Sequence, residues 1–214
     1  MAFSPYRAAM TDAYLAACNH LAALDADWAA LLARVGPCGH QPKPAREPYE
    51  ALVRAVAYQQ LHARAGDAIL ARLAALTPHA PFPMPADLLA LSDEALRGCG
   101  FSARKAATLR AIAAGTLDGT VPDRATAGTL DDAALVARLT ALPGIGRWTV
   151  EMLLIYTLAR LDVLPADDYG VREGYRRLKG LAAAPGPATL RALARPWAPY
   201  RTVAAWYLWR VPRD

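Results

Sequence analysis

Leucine and alanine recur at three- and four-residue spacing through most of the chain, and β-branched residues never form a long alternating run. This periodicity constrains the fold more than any other feature, because a half-buried strand needs a period of two and an amphipathic helix a period near 3.6. Intrinsic preference points the same way, since alanine and leucine favour helix. The chain therefore reads as all-α. Its 214 residues are 55% hydrophobic and 20% charged, which is enough apolar material to bury a core. One compact domain or two closely joined lobes is expected.

Helical stripes can be followed along the chain. Tyr14, Leu15, Cys18 and Leu21 begin one from Thr11, and Leu24, Trp28, Leu31, Leu32 and Val35 continue it until Gly36-Pro37 stops it. The Gly36 to Pro48 stretch is a proline-rich connection. Tyr49 to Leu76 reads as two helices with Gln59-Gln60-Leu61-His62 at their junction. A proline loop from Pro78 to Pro85 leads to a short helix around Asp93 to Arg97. Ser102 can cap a helix from Ala103 to Ala114, and Asp131 one that runs to about Thr140. Val150, Leu153, Leu154, Thr157, Leu158 and Leu161 form a further stripe. After Asp168 one helix runs toward Lys179, and a last one carries Val203, Trp206, Tyr207 and Trp209.

A formal net charge of +5 and a pI of about 9.3 suit a polyanionic partner, although charge alone equally describes a solvated basic surface. Cys18, Cys38 and Cys99 form no C-x-x-C pair and no four-thiolate set, so packing thiols are expected rather than a disulfide, a zinc site or an iron–sulfur cluster. Met1 to Met10 lacks an apolar signal core, and no stretch reaches the roughly 20 apolar residues of a membrane span. A soluble cytoplasmic protein, nucleoid-associated if DNA is its partner, is expected.

The segment Leu142-Pro143-Gly144-Ile145-Gly146 interrupts two helical patterns. Its glycines free the backbone to turn sharply and leave amides uncovered at the start of the second helix, which makes an anion site. A DNA phosphate bound there would be held without regard to sequence. From the pentapeptide alone, a bare helix connection is equally consistent.

With its downstream context, LPGIGRWTVEMLLIYTLARLDVLPADD resembles the signature of the helix-hairpin-helix, Gly-Pro-Asp superfamily of DNA glycosylases. The resemblance extends to YEALVRAVAYQQL and to RPWAPYRTVAAWYLWR, and is strongest to the alkylation-repair branch, DNA-3-methyladenine glycosylase II. It covers most of the chain from about Tyr49. It implies a two-lobed helical bundle with a central cleft, acting as a monomer on duplex DNA that contains alkylated bases. Residues 1–48 would pack with the C-terminal lobe, 49–165 would form the helix-hairpin-helix lobe, and 166–214 would complete the second lobe and the base pocket.

The same resemblance assigns roles to residues. It places the catalytic carboxylate on Asp168, with Asp167 left as a cap or a structural hydrogen-bonder. Where bifunctional members carry a nucleophilic lysine this chain has Trp148, which implies hydrolysis without a Schiff base. The chain has five Trp, nine Tyr and three Phe. Trp148, Tyr169, Trp206 and Trp209, with Met152, fall in the segments of the base pocket, where a cationic methylated base would be drawn by cation–π contacts. Trp206 and Trp209 cannot share one helical face equally, and Trp209 is favoured for the pocket. Gln60, Leu61 and His62 lie where a wedge fills the gap left by a flipped nucleotide, although Leu61 can also be a buried leucine that ends a helix. Gly144, Gly146, Arg147 and Thr149 would face DNA. The carbonyls of Thr140, Leu142 and Ile145 map to a structural monovalent-cation site, and no other cofactor is implied. A non-catalytic DNA-gripping module and a glycosylase for mismatched or oxidised bases are the rival readings.

Overall fold

Short polar side chains set many of the helix starts. Asp25, Ser92, Ser102, Asp123, Asp131 and Asp168 each accept a hydrogen bond from the amide three residues on, which satisfies a donor that has no partner within the helix. The computed structural model describes residues 5–78 and 80–212, so the first four residues of the Met1 to Met10 segment lie outside the described residues. In order, the helices are α1 (Pro5–Ala22), α2 (Ala26–Val35), α3 (Pro48–Tyr58), α4 (Ala63–Ala75), α5 (Pro85–Ala90), α6 (Asp93–Cys99) and α7 (Ala103–Leu117). Then come α8 (Arg124–Thr129), α9 (Asp132–Thr140), α10 (Arg147–Tyr156), α11 (Tyr169–Leu178), α12 (Pro187–Leu193) and α13 (Arg201–Leu208), with a 3₁₀ turn at Arg195–Trp197. Among the described residues there is no strand, and no helix is long and apolar enough to cross a membrane.

Three departures from the sequence reading have physical causes. Helices α5, α8 and α12 stand where loops were expected or no element was assigned. Each spans only six or seven residues, too few for a period to show, and Pro85 and Pro187 sit in the first turn, where proline is tolerated rather than disruptive. The stripe of α10 was carried to Leu161, yet the helix ends at Tyr156. There the amides of Thr157 and Leu158 both return to the Leu153 carbonyl, and Ala159 turns left-handed at φ 56°. The Tyr156 and Thr157 carbonyls accept from the Lys43 amide at 2.6 Å and from Arg124 at 2.8 Å. Those external donors replace the helical continuation. The first helix starts at Pro5, ahead of Thr11.

The chain forms two units, one of residues 43–159 and one of the described residues up to Pro42 together with those from Arg160 on. These joints lie a few residues before the expected ones at 48/49 and 165/166. In the first unit α3 packs on α4, α7 and α10, and α9 on α10. Its centre includes Leu52, Val53, Val56, Leu109, Ile112, Leu139 and Leu154, all essentially inaccessible, and each fully buried side chain of this size contributes about 1.5–3 kcal/mol. The second unit is built on aromatics: Trp28 meets Trp197 edge-on at 5.3 Å, and Tyr175 and Tyr207 are buried beside Val203, Ala204 and Ala205. Helices α11 and α13 cross where Gly174 has no side chain. A Cβ there would stand 2.1 Å from the Leu208 carbonyl oxygen.

Gly174→Ala should therefore destabilise the protein by about 1–3 kcal/mol, as overpacking does. Gly186→Ala, which would meet nothing within 4 Å, should stay within about 0.5 kcal/mol of wild type. Urea denaturation of the two variants checks the contrast.

Candidate active site

In the unit of residues 43–159, the hairpin between α9 and α10 is fixed by two features of its sequence. The Ile145 amide donates to the Leu142 carbonyl at 3.1 Å and the Ile145 side chain is buried, so the tip is pinned to the core. Gly144 adopts φ 82°, and a Cβ there would lie 2.1 Å from Thr108 Oγ1 of α7. Both facts demand glycine. The same demand was expected at Gly146, but it has φ −93° and open space where its Cβ would stand. Gly146 caps α10 with no side-chain bond and no acid follows in the first turn. Gly144, Gly146 and Arg147 are exposed.

Two expectations for α10 change. Thr149 is buried at 4% exposure and its amide donates to the Gly146 carbonyl, so its side chain faces inward rather than toward DNA. Arg147 leans along the helix, with Nη1 3.8 Å from Glu151 Oε1.

The junction of α3 and α4 is a turn in which Gln60 is left-handed at φ 58°. Leu61 follows at 41% exposure, which excludes the reading of a buried leucine ending a helix. His62 is the N-cap of α4, its Nδ1 accepting from the Ala65 amide at 3.4 Å, a local task the sequence reading did not give it. Gln59 Nε2 donates to the Gly144 carbonyl at 3.4 Å, tying this turn to the hairpin. A cavity of about 640 Å³ lies alongside, and its walls bring Gln60, Gly144, Trp148 and Met152 together. Gln59, from the polar junction already singled out, lines it as well, with Tyr58, Arg104, Lys105 and Tyr156. Those four were missed because, on a helix or its end, they carry no spacing that separates them from a solvated face.

In the other unit, Asp168 is the N-cap of α11. Its Oδ1 accepts from the Val171 amide at 2.9 Å and from Trp209 Nε1 at 2.9 Å. The indole can come this near because residue 170 is glycine: a Cβ would stand 3.0 Å from Trp209 Cδ1 and 3.1 Å from Asp168 Oδ1. The capping acid is thus Asp168, and of the two roles expected for Asp167, a cap or a structural hydrogen-bonder, it takes the second. Asp167 is exposed and pairs with Arg191 at 2.8 Å. Trp209 was expected as a pocket wall, and its bond to the carboxylate has no signature in sequence spacing. Tyr169 is 70% exposed. Trp206 is instead 6% exposed in the core, edge-on to Tyr207 at 4.9 Å, with the Arg210 guanidinium 3.7 Å from its ring centre. That corrects its assignment to the base pocket, because core packing and a cation already occupy the ring.

Among the described residues no group of three His, Cys, Asp or Glu side chains could hold a metal ion.

The chain matches the model of the HhH-GPD superfamily base excision DNA repair proteins over residues 53–199, and it belongs to that family. It is 44% identical over 197 residues to a DNA-3-methyladenine glycosylase 1 of Schizosaccharomyces pombe, covering 91% of this chain and 86% of the relative. A solved structure of that organism's 3-methyladenine DNA glycosylase in complex with abasic DNA superposes with a TM-score of 0.82 at 45% identity, over 91% of this chain and 95% of the other. An alkylbase DNA glycosidase-like protein of the same organism is 34% identical over 94% of both chains. A DNA-3-methyladenine glycosidase of Bacillus halodurans gives a TM-score of 0.80 at 33% identity, covering 91% of this chain and 88% of that one. The fold is that of the superfamily.

Gly144→Ala should lower folding stability by about 2–4 kcal/mol, combining left-handed strain with the clash against Thr108, and should weaken duplex binding at temperatures where the protein stays folded. Gly146→Ala should fold as wild type does. Thermal melts with fluorescence anisotropy on a labelled duplex separate the two.

Proposed function

We propose that this protein is a monofunctional DNA glycosylase that flips an alkylated purine out of duplex DNA and hydrolyses its N-glycosidic bond, with Asp168 as the catalytic carboxylate. The observation that carries the reading is the fixed Asp168 carboxylate, oriented by the Val171 amide and the Trp209 indole. The names of the full-length relatives, both 3-methyladenine glycosylases and an alkylbase glycosidase-like protein, supply the substrate class.

As the glycosidic bond lengthens, positive charge develops on the deoxyribose, and a preorganised anion stabilises it. The carboxylate also orients the attacking water and takes its proton. The water oxygen bonds to C1′, the glycosidic electron pair leaves with the base nitrogen, and the products are a free base and an abasic sugar. An alkylated purine that already carries positive charge departs neutral, so no separate general acid is needed. Trp148 offers no amine for a Schiff base. Exposed at 42% on the cavity wall, it suits stacking against a cationic base, a contact worth about 0.5–2 kcal/mol.

The hairpin is the proposed backbone grip. The exposed start of α10, capped by Gly146 with no side-chain bond and no acid in its first turn, leaves amides open to an anion. Monovalent-cation binding by the carbonyls of Thr140, Leu142 and Ile145 is part of this proposal. The Leu142 carbonyl accepts one hydrogen bond, from the Ile145 amide, and a carbonyl has two lone pairs.

Asp168→Asn tests the reading, because asparagine keeps an oxygen for both donors and remains a good helix cap while losing the charge. Single-turnover release of 7-methylguanine from a methylated duplex should fall at least about a hundredfold, with duplex affinity retained. Near-wild-type release would remove Asp168 from catalysis. Borohydride should trap no covalent adduct with DNA, and a trapped adduct would contradict monofunctional chemistry. Duplex affinity should drop steeply between 50 and 200 mM salt, as release of condensed counterions requires; an unchanged affinity would contradict the phosphate grip.

A further inference from the structure

The last carbonyls of a helix lack intrahelical partners, and at the end of α3 two of these acceptors are served by a side chain from elsewhere in the chain. Lys105, in the first turn of α7, donates from Nζ to the Ala57 carbonyl at 3.3 Å and to the Gln59 carbonyl at 2.8 Å. Lys105 is half-buried, and burial holds its pKa below the usual lysine range. It also sits where a cation favours a helix C-terminus.

The turn it holds is one that would not keep its shape unaided. Gln60 is left-handed at φ 58°, a conformation that costs free energy in any residue with a Cβ and persists only where the surroundings over-determine it. Leu61, the next residue, projects into solvent. One turn further along α7, Thr108 lies against Gly144, and Gln59 reaches the Gly144 carbonyl. A single helix therefore braces both the turn that presents Leu61 and the hairpin proposed to grip phosphate.

We propose that Lys105 is a positioning residue for base flipping, the ammonium that bridges the Ala57 and Gln59 carbonyls and so presents Leu61 to the duplex already in its inserting conformation. This rests on the glycosylase reading above. Without the bridge, the 59–62 turn must be ordered during insertion, and that entropy is charged to the flipping step. The deficit is therefore largest where extrusion is hardest, and it shrinks where the lesion is poorly paired.

The test compares wild type, Lys105→Met and Lys105→Arg on duplexes carrying 7-methylguanine opposite cytosine or opposite thymine, with 2-aminopurine beside the lesion to report unstacking. Lys105→Met should lose about tenfold in single-turnover excision on the cytosine pair and less than about threefold on the mismatch, as loss of preorganisation implies. Its 2-aminopurine fluorescence rise should fall with the first loss, and Lys105→Arg should restore most of both. A phosphate contact or general loss of fold would give equal deficits on the two duplexes. Equal deficits overturn the proposal, as do a wild-type rate and fluorescence rise in Lys105→Met. If Lys105→Met does not fold, Lys105→Gln, which keeps a donor but loses the charge, is judged by the same ratio. A wild-type fluorescence rise without excision would refute the glycosylase reading and leave Lys105 to be judged on fluorescence alone. No rise in wild type overturns both.

Discussion

Two donors converge on one carboxylate oxygen, and much of the unit that holds Asp168 is arranged to bring them there. The Val171 amide reaches Asp168 because α11 starts at Tyr169. The Trp209 indole reaches it because α13 ends there. Buried Val203, Ala204, Ala205 and Tyr207 hold α13 in place. Gly174 lets α13 lie against α11 at backbone distance, and Gly170 leaves room for the indole beside the carboxylate. The aromatic core thus fixes the position of the Asp168 carboxylate, the preorganisation that the electrostatic catalysis proposed for it requires.

The unit of residues 43–159 is organised around a different strut. Helix α7 supports the hairpin through Thr108 and the α3–α4 turn through Lys105. On the far side of that turn, Tyr58 bonds to Asp67 and its ring fills the space where a Cβ of Gly66 would stand. Neither the hairpin nor the turn is a regular element, yet each is held by packing and hydrogen bonds that limit its freedom. Segments proposed to grip and unstack DNA would gain affinity by being ordered before they bind.

Much of this was legible in the sequence, and the part that was not has a common cause. The long helices follow from apolar period and polar caps, both local properties, and the hairpin glycines mark their own turn. Asp168 was singled out only by the family resemblance, since two adjacent acids on a loop are in themselves an ordinary polar helix start. What escaped were contacts between residues far apart in the chain, such as Trp209 to Asp168, Lys105 to Gln59 and Arg124 to Thr157. Burial depends on these as well, so Trp206 reads like Trp209 in sequence but lies in the core. Short helices that begin with proline look like loops because fewer than two turns show no period. Which of the two roles left open for Asp167, cap or structural hydrogen-bonder, it takes was likewise fixed by a distant contact, the bond from Arg191.

The measurement that bears most directly on this account is a double-mutant cycle between Trp209→Phe and Asp168→Asn, read as single-turnover excision. If the indole acts by holding the carboxylate, Trp209→Phe alone should slow excision about tenfold, as loss of a hydrogen bond to a charged group implies. In the Asp168→Asn background the same change should have almost no further effect. A full tenfold additional loss there would mean that Trp209 contributes independently of Asp168, contradicting the claim that the catalytic charge is set by this one shared oxygen.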